Sequence, residues 1–219
     1  MGPAPERGRL TTTSLAGVAV FGALSAILTY FSQSLGLNFP LVPYLQFDLG
    51  EVAIVLALFV FGPFPAVVST FVEFVTLEGI GQNVPWGPVL KLLSMVSSVA
   101  GIWLGVNFAS RLRRTSVQNL FEAGTGFGAA VRASFMTIPN YLYLVLVYAE
   151  PNGSALMLVL AYTAIFNVLQ LGFVMTVSYA VLKVPQVQGL KIGGRTLWVM
   201  TVTQVPAQGA GLQQPRVSG

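Results

Sequence analysis

Long, unbroken apolar runs dominate this chain, and very few segments alternate apolar with polar residues. A helix needs about 20 apolar residues to cross the hydrocarbon core of a bilayer. On that measure the runs predict six helices, over residues 14–35, 49–61, 66–77, 89–109, 127–148 and 155–182. The second and third are short for complete spans, and the break between them is Gly62-Pro63-Phe64-Pro65. The remaining connections hold turn formers and polar residues. Segment 36–47 contains Asn38, Pro40, Pro43 and Gln46, and segment 78–88 has three glycines and two prolines. Segment 111–125 is polar, and Glu150-Pro151-Asn152-Gly153 reads as a turn. Continuous rather than alternating runs exclude a β-barrel. The expected fold is therefore an all-α membrane protein, a six-transmembrane-helix bundle over 14–183. An N-terminal segment, 1–13, precedes it and a short tail, 184–219, follows.

Composition supports this reading. Hydrophobic residues make up 54% of the chain and charged residues 8%, against about 25% charged in an ordinary soluble domain. The first apolar run is longer than a signal-peptide core and lacks a clean small-x-small site, so it reads as a retained helix. There is no cysteine and no histidine, which excludes disulfides, thiolate metal sites and the commonest general base. No metal or cofactor is expected.

Charge placement predicts an orientation. With six spans, one side receives Arg7, Arg9, Arg111, Arg113, Arg114, Lys183, Lys191, Arg195 and Arg216. The other side receives Asp48, Glu51, Glu78 and Glu150. Basic residues mark the cytoplasmic side, so both termini are expected there, in a multi-pass protein of the cell membrane. The net charge of +4 is dispersed around span ends, which does not suggest nucleic-acid binding.

Three charges fall inside the expected spans: Glu73, Lys91 and Arg132. Such charges are costly unless paired or facing a cavity. Glu73 and Lys91 can pair, either as a structural bridge or as part of a site. Arg132 is expected near the inner end of helix 5, snorkelling to the interface. Helices 5 and 6 also carry amides in Pro139-Asn140-Tyr141 and Phe166-Asn167-Val-Leu-Gln170. Asn167 and Gln170, at i and i+3, share a helix face. These amides serve interhelical hydrogen bonds or line a polar pocket, with Phe135, Tyr141, Tyr143, Tyr162 and Phe166 as flat surfaces for a planar ligand. Helix 1 carries Ala16, Ala19, Ala23 and Ala26, and the Ala19/Ala23 pair lets another helix approach closely, within the bundle or on a partner.

The tail reads Gly189-Leu-Lys-Ile-Gly-Gly194-Arg195-Thr196. This approaches a phosphate-binding loop but has Arg195 where lysine is needed, and β-branched residues rather than a helix follow. The runs 187–192 and 196–205 around Gly193-Gly194 predict a β-hairpin instead. Residues 207–219, rich in Gly, Gln and Pro, are expected to be disordered.

The order Asp48, Glu51, Phe59-Val-Phe-Gly62-Pro63, then Asn140-Tyr141 and Phe166-Asn167, resembles the substrate-binding S components of energy-coupling-factor (ECF) transporters. The segment 47–65 is most similar to the riboflavin-binding RibU branch. The resemblance covers about residues 14–183. It implies a subunit that captures riboflavin or a related flavin on the outer face. Uptake would be powered by two separate ATPase subunits through a transmembrane coupling protein. It implies substrate contacts from Lys91, Asn140, Tyr141, Phe166, Asn167 and Gln170, and docking on the coupling protein through Ala19, Ala23 and Ala26. It also implies that segments 38–47 and 78–88 close over the ligand. This chain has Gln170 where the branch has a lysine. It has Gly87-Pro88-Val-Leu-Lys91 where the branch has Gly-Glu and Asn. The alternatives are an S component for another vitamin or small molecule, an intramembrane enzyme, or a structural membrane subunit without a ligand.

Overall fold

The structure is a computed structural model and describes residues 11–81, 83–112, 116–147, 153–184, 187, 191–192 and 195–203. Six helices carry the fold: α1 Thr12–Ser34, α2 Gly50–Phe61, α3 Pro63–Ile80, α4 Trp86–Arg111, α5 Val117–Leu146 and α6 Ser154–Leu182. Strands β1 Asn38–Phe39 and β2 Val42–Gln46 form an antiparallel hairpin between α1 and α2. The tail adds β3 Lys191–Ile192, β4 Arg195–Thr196 and a short helix, α7 Trp198–Thr203. Helices α1, α3, α4 and α6 are long and apolar enough to cross a membrane.

The bundle is apolar outside and polar within. Val20, Ile27, Val75, Ile138, Leu146 and Met157 are all exposed, whereas Ser25, Thr29, Glu51, Glu73, Arg132, Asn167 and Gln170 are buried. Water would penalise such a surface over this extent and lipid does not, so the chain is a multi-pass membrane protein. Beyond Glu51 in its first turn, helix α2 is apolar all round, and Ile54, Val55, Ala57, Leu58 and Phe59 are fully buried, as a helix without a polar face requires. At 12 residues it rises only about 18 Å. Its end is set by Gly62, whose φ of 98° suits glycine, followed by Pro63 in the first turn of α3.

Helices α4 and α5 lie close together because glycines face each other. A Cβ on Gly101 would come within 2.7 Å of Gly128 Cα, and one on Gly105 within 2.9 Å of Gly124 Cα. Both pairs, Gly101/Gly105 and Gly124/Gly128, have the G-x-x-x-G spacing that lets membrane helices touch along their backbones. The apolar core lies beside this contact and includes Leu58, Met95, Ile102, Leu120, Leu171 and Met175.

Several boundaries differ from the sequence expectation. Helix α3 continues through Glu78-Gly79 to Ile80, because Leu77 is buried and a single helical glycine costs only about 1 kcal/mol. Helix α5 begins at Val117, so the expected polar connection is in part its first turns. The Ser116 side chain caps it, accepting from Asn119 N–H at 3.2 Å, while Leu120 and Phe121 turn inward and Gln118 and Glu122 pair outside. The expected strand over 196–205 is replaced after Thr196 by α7, whose approach buries Leu197 and Val199 against the core. The β3–β4 pairing matches the expected hairpin over two residues per strand, while its Gly193-Gly194 turn and residues 207–219 lie outside the described residues.

The glycine contact makes a direct test. Gly105→Leu is expected to lower the melting temperature in detergent, because overpacking of about 1–3 kcal/mol or more has nowhere to relax. Gly126→Ala, at an exposed position where a Cβ meets nothing within 4 Å, is expected to leave the melt unchanged or raise it slightly.

Candidate ligand-binding site

A layer of buried polar groups separates the core from the β1–β2 hairpin. The order is visible along α6. Phe166 packs with Phe39 and Val42 of the hairpin, Asn167 and Gln170 follow, and Leu171 and Val174 enter the core. Two cations organise the layer.

Arg132 sits at the middle of α5 and is 2% exposed. Its guanidinium donates to both oxygens of Glu51, from Nη1 at 2.5 Å and from Nη2 at 2.9 Å. Nε donates to Asn167 Oδ1 at 2.8 Å, and Nη1 also to Ser98 Oγ at 3.3 Å. The fork geometry suits arginine and no other side chain. The expectation that Arg132 snorkels to the interface is corrected here. The helix start at Val117 moves this residue inward, and Glu51 opposite it supplies the counter-charge.

Lys91 on α4 is the second centre. Its ammonium donates to Thr29 Oγ1 and Asp48 Oδ2, and to Glu73 Oε1 at 2.6 Å. The expected Glu73–Lys91 pair is thus present, with Asp48 as a third member. Thr29 links the carboxylates, its hydroxyl lying 2.9 Å from Glu73 Oε1 and 3.0 Å from Asp48 Oδ1. Asp48 also accepts the Gly50 N–H at 2.7 Å, which places a negative charge on the first turn of α2. Ser32 Oγ accepts the Leu49 N–H at 3.0 Å, and Ser25 Oγ donates to Gly50 O at 2.8 Å. Five side chains therefore fix the start of a helix only 12 residues long: Ser25, Thr29, Ser32, Asp48 and Gln170.

Above this layer lies a cavity of about 160 Å³. Of the expected substrate residues, Lys91, Asn140, Phe166 and Asn167 line it. Asn140 commits its N–H₂ to Met136 O at 2.7 Å, and Asn167 commits its own to Thr163 O at 2.9 Å, which turns the Asn167 carbonyl toward Arg132. Gln170 is fully buried and does not line the cavity. It grips the Asp48 backbone instead, donating from Nε2 to the carbonyl at 2.8 Å and accepting the N–H at 3.4 Å. Tyr141 is 38% exposed and does not line the cavity either. Among the aromatics, Tyr143 lines it, while Phe135 is exposed and Tyr162 packs with the hairpin cluster. On α1, Ala16, Ala19 and Ala23 are exposed, while Ala26 is buried.

Asp48, Glu51 and Arg132 were not among the residues expected to contact substrate, although all three line the cavity. A signal for Arg132 was present. Gly124, Gly128, Arg132, Met136 and Asn140 recur every four residues on α5 and are all buried. An arginine within a glycine-marked stripe points to the neighbouring helix.

No protein-family model matches the sequence, and no curated protein does. Among solved structures, the fold matches the S component of a bacterial ECF transporter, with a TM-score of 0.65 and 20% sequence identity. The match covers 78% of this chain and 93% of that one. At that identity the likeness establishes a shared fold.

The ion pair yields a double-mutant test. Glu51→Leu alone leaves the buried guanidinium without its counter-charge and is expected to cost about 3–5 kcal/mol of stability. Glu51→Leu combined with Arg132→Met is expected to cost much less than the sum of the two single changes. Thermal melts of the four proteins in one detergent measure the difference.

Proposed function

We propose that this protein is an S component, the substrate-capture subunit of an ECF-type importer, and that it binds riboflavin or a related flavin. In this reading α1–α6 all lie in the membrane and both termini are cytoplasmic, as the charge asymmetry of the connections supports. The hairpin end then faces outward. The observation that carries the reading is a buried polar cavity under an aromatic hairpin, within a fold shared with an S component.

The capture mechanism follows from the cavity's size. At about 160 Å³ it is smaller than usual small-molecule sites, which run about 300–1,000 Å³. A flavin needs the hairpin to move outward. The hairpin is held by ring contacts and by the Tyr44–Thr163 hydroxyl pair at 3.1 Å rather than by a backbone ladder to the bundle. Phe39 and Phe47 lie 5.4 and 5.1 Å from the Phe166 ring, and Tyr44 lies 5.8 Å from Tyr143. A planar ligand can take the place of one ring in such a cluster and keep the apolar contact. Asn140 then offers its side-chain carbonyl beside it, while Asn167 holds Arg132 at the cavity floor. The hairpin and the segment before α4 close over the ligand. Energy comes from two partner ATPase subunits through a transmembrane coupling protein, and the exposed Ala19/Ala23 face of α1 is the docking surface. The runner-up is an S component for a different vitamin or small molecule. The observation favouring it is that Gln170 is occupied by Asp48 rather than offered to the cavity.

Titration of the purified protein with riboflavin is expected to give saturable, one-to-one quenching of flavin fluorescence. Asn140→Leu and Phe166→Ala are each expected to weaken binding at least about tenfold, the worth of one lost hydrogen bond or ring contact. Absence of quenching with the folded wild-type protein would refute the flavin assignment. Saturable binding of a different vitamin in a thermal-shift panel would establish the runner-up.

A further inference from the structure

Both cations at the cavity are already engaged by the protein's own carboxylates. Lys91 has three N–H donors, and they go to Thr29, Asp48 and Glu73. Arg132 spends its fork on Glu51 and its Nε on Asn167. Among the described residues of this layer, three carboxylates, Asp48, Glu51 and Glu73, face two cations. The surplus is negative. Glu73 stands behind Lys91, is 1% exposed, and its Oε2 has no hydrogen-bond partner. Among the buried side-chain atoms of the described residues that line the cavity, Ser94 Oγ and Gln33 Oε1 have no hydrogen-bond partner. A carbonyl oxygen accepts only, and a hydroxyl accepts or donates.

From this we infer that the cavity selects an uncharged ligand that brings its own hydrogen-bond donors, and that it rejects ligands carrying a phosphate or carboxylate. Glu73 is a specificity-determining residue in this scheme. It holds Lys91 in a neutralised state, so the lysine cannot serve as an anion receptor. An entering phosphate would have to draw Lys91 away from Asp48 and Glu73 and strand both carboxylates in a medium of low dielectric. One unpaired like charge at close range there weakens binding by at least about a hundredfold. A sugar-like hydroxyl or a ring imide N–H meets no such barrier, and Gln33 and Ser94 are cavity-lining residues that hold unpartnered acceptor atoms. The inference rests on the cavity being the capture site proposed above, and it narrows that site's substrate class.

Three ligands with the same ring system test it on the wild-type protein: riboflavin, flavin mononucleotide, and an uncharged 5′-ester of riboflavin comparable in bulk to the phosphate. Fluorescence quenching at low ionic strength and pH 7.5 is expected to give similar Kd values for riboflavin and the ester. The mononucleotide is expected to bind at least about a hundredfold more weakly. A mononucleotide Kd within tenfold of riboflavin's overturns the charge rule and leaves the flavin reading standing. An ester as weak as the mononucleotide also overturns it, because bulk would then explain the exclusion. Failure of riboflavin itself removes the flavin reading, and the inference with it. Glu73→Gln supplies the gain-of-function arm. With the surplus charge gone, the riboflavin-to-mononucleotide ratio is expected to narrow at least tenfold. An unchanged ratio in a variant that still binds riboflavin denies Glu73 its role. The wild-type comparison decides the charge rule whether or not the variant folds.

Discussion

The structure depends on holding an arginine in the middle of an apolar bundle. A guanidinium in lipid is tolerated only with a counter-charge and filled hydrogen bonds. Here Glu51 supplies the charge, and Asn167 and Ser98 supply acceptors. The four residues come from α2, α4, α5 and α6, so one requirement of solvation registers four helices against each other. The α4–α5 glycine contact brings Ser98 and Arg132 into reach. The capping of α2 by Asp48, with Gln170 gripping the same backbone, presents Glu51 at the right height. Lys91 repeats the arrangement on the side of α1 and α3.

The same economy explains why the cavity lies where it does. Charged groups keep the layer from filling with apolar side chains, and Tyr44, Leu45, Gln46 and Phe47 line the cavity from the hairpin side. Among the described residues β1 and β2 pair only with each other, so side-chain contacts, not a backbone ladder, hold the hairpin on the bundle.

Much of this architecture was legible in the sequence. The extents of α1, α2 and α6 follow from apolar run length, and Gly62-Pro63 marks the break after α2. Asn140, Asn167 and Gln170 were recognisable as inward-facing because amides in lipid must find partners. The Glu73–Lys91 pair was legible for the same reason. What escaped depends on more than one helix at once. Arg132 looks like a snorkelling residue when α5 is taken to start near Phe127, and like a core residue once the first turns from Val117 are added. The Gln170 grip on the Asp48 backbone joins α6 to the start of α2 and cannot be read from α6 alone. The hairpin of 38–46 has almost no period to detect, being two and five residues per strand. The helix at 198–203 is set by burial of Leu197 and Val199, against the β-branched preference of the segment.

The central claim is that the polar layer is the floor of a flavin-capture site rather than a structural filling. The absorption spectrum of the purified protein tests it most directly, after incubation with excess riboflavin and removal of free ligand by gel filtration. The account predicts flavin visible bands co-eluting with the folded protein at one chromophore per chain, and their loss in Asn140→Leu. A folded protein that elutes colourless would contradict it.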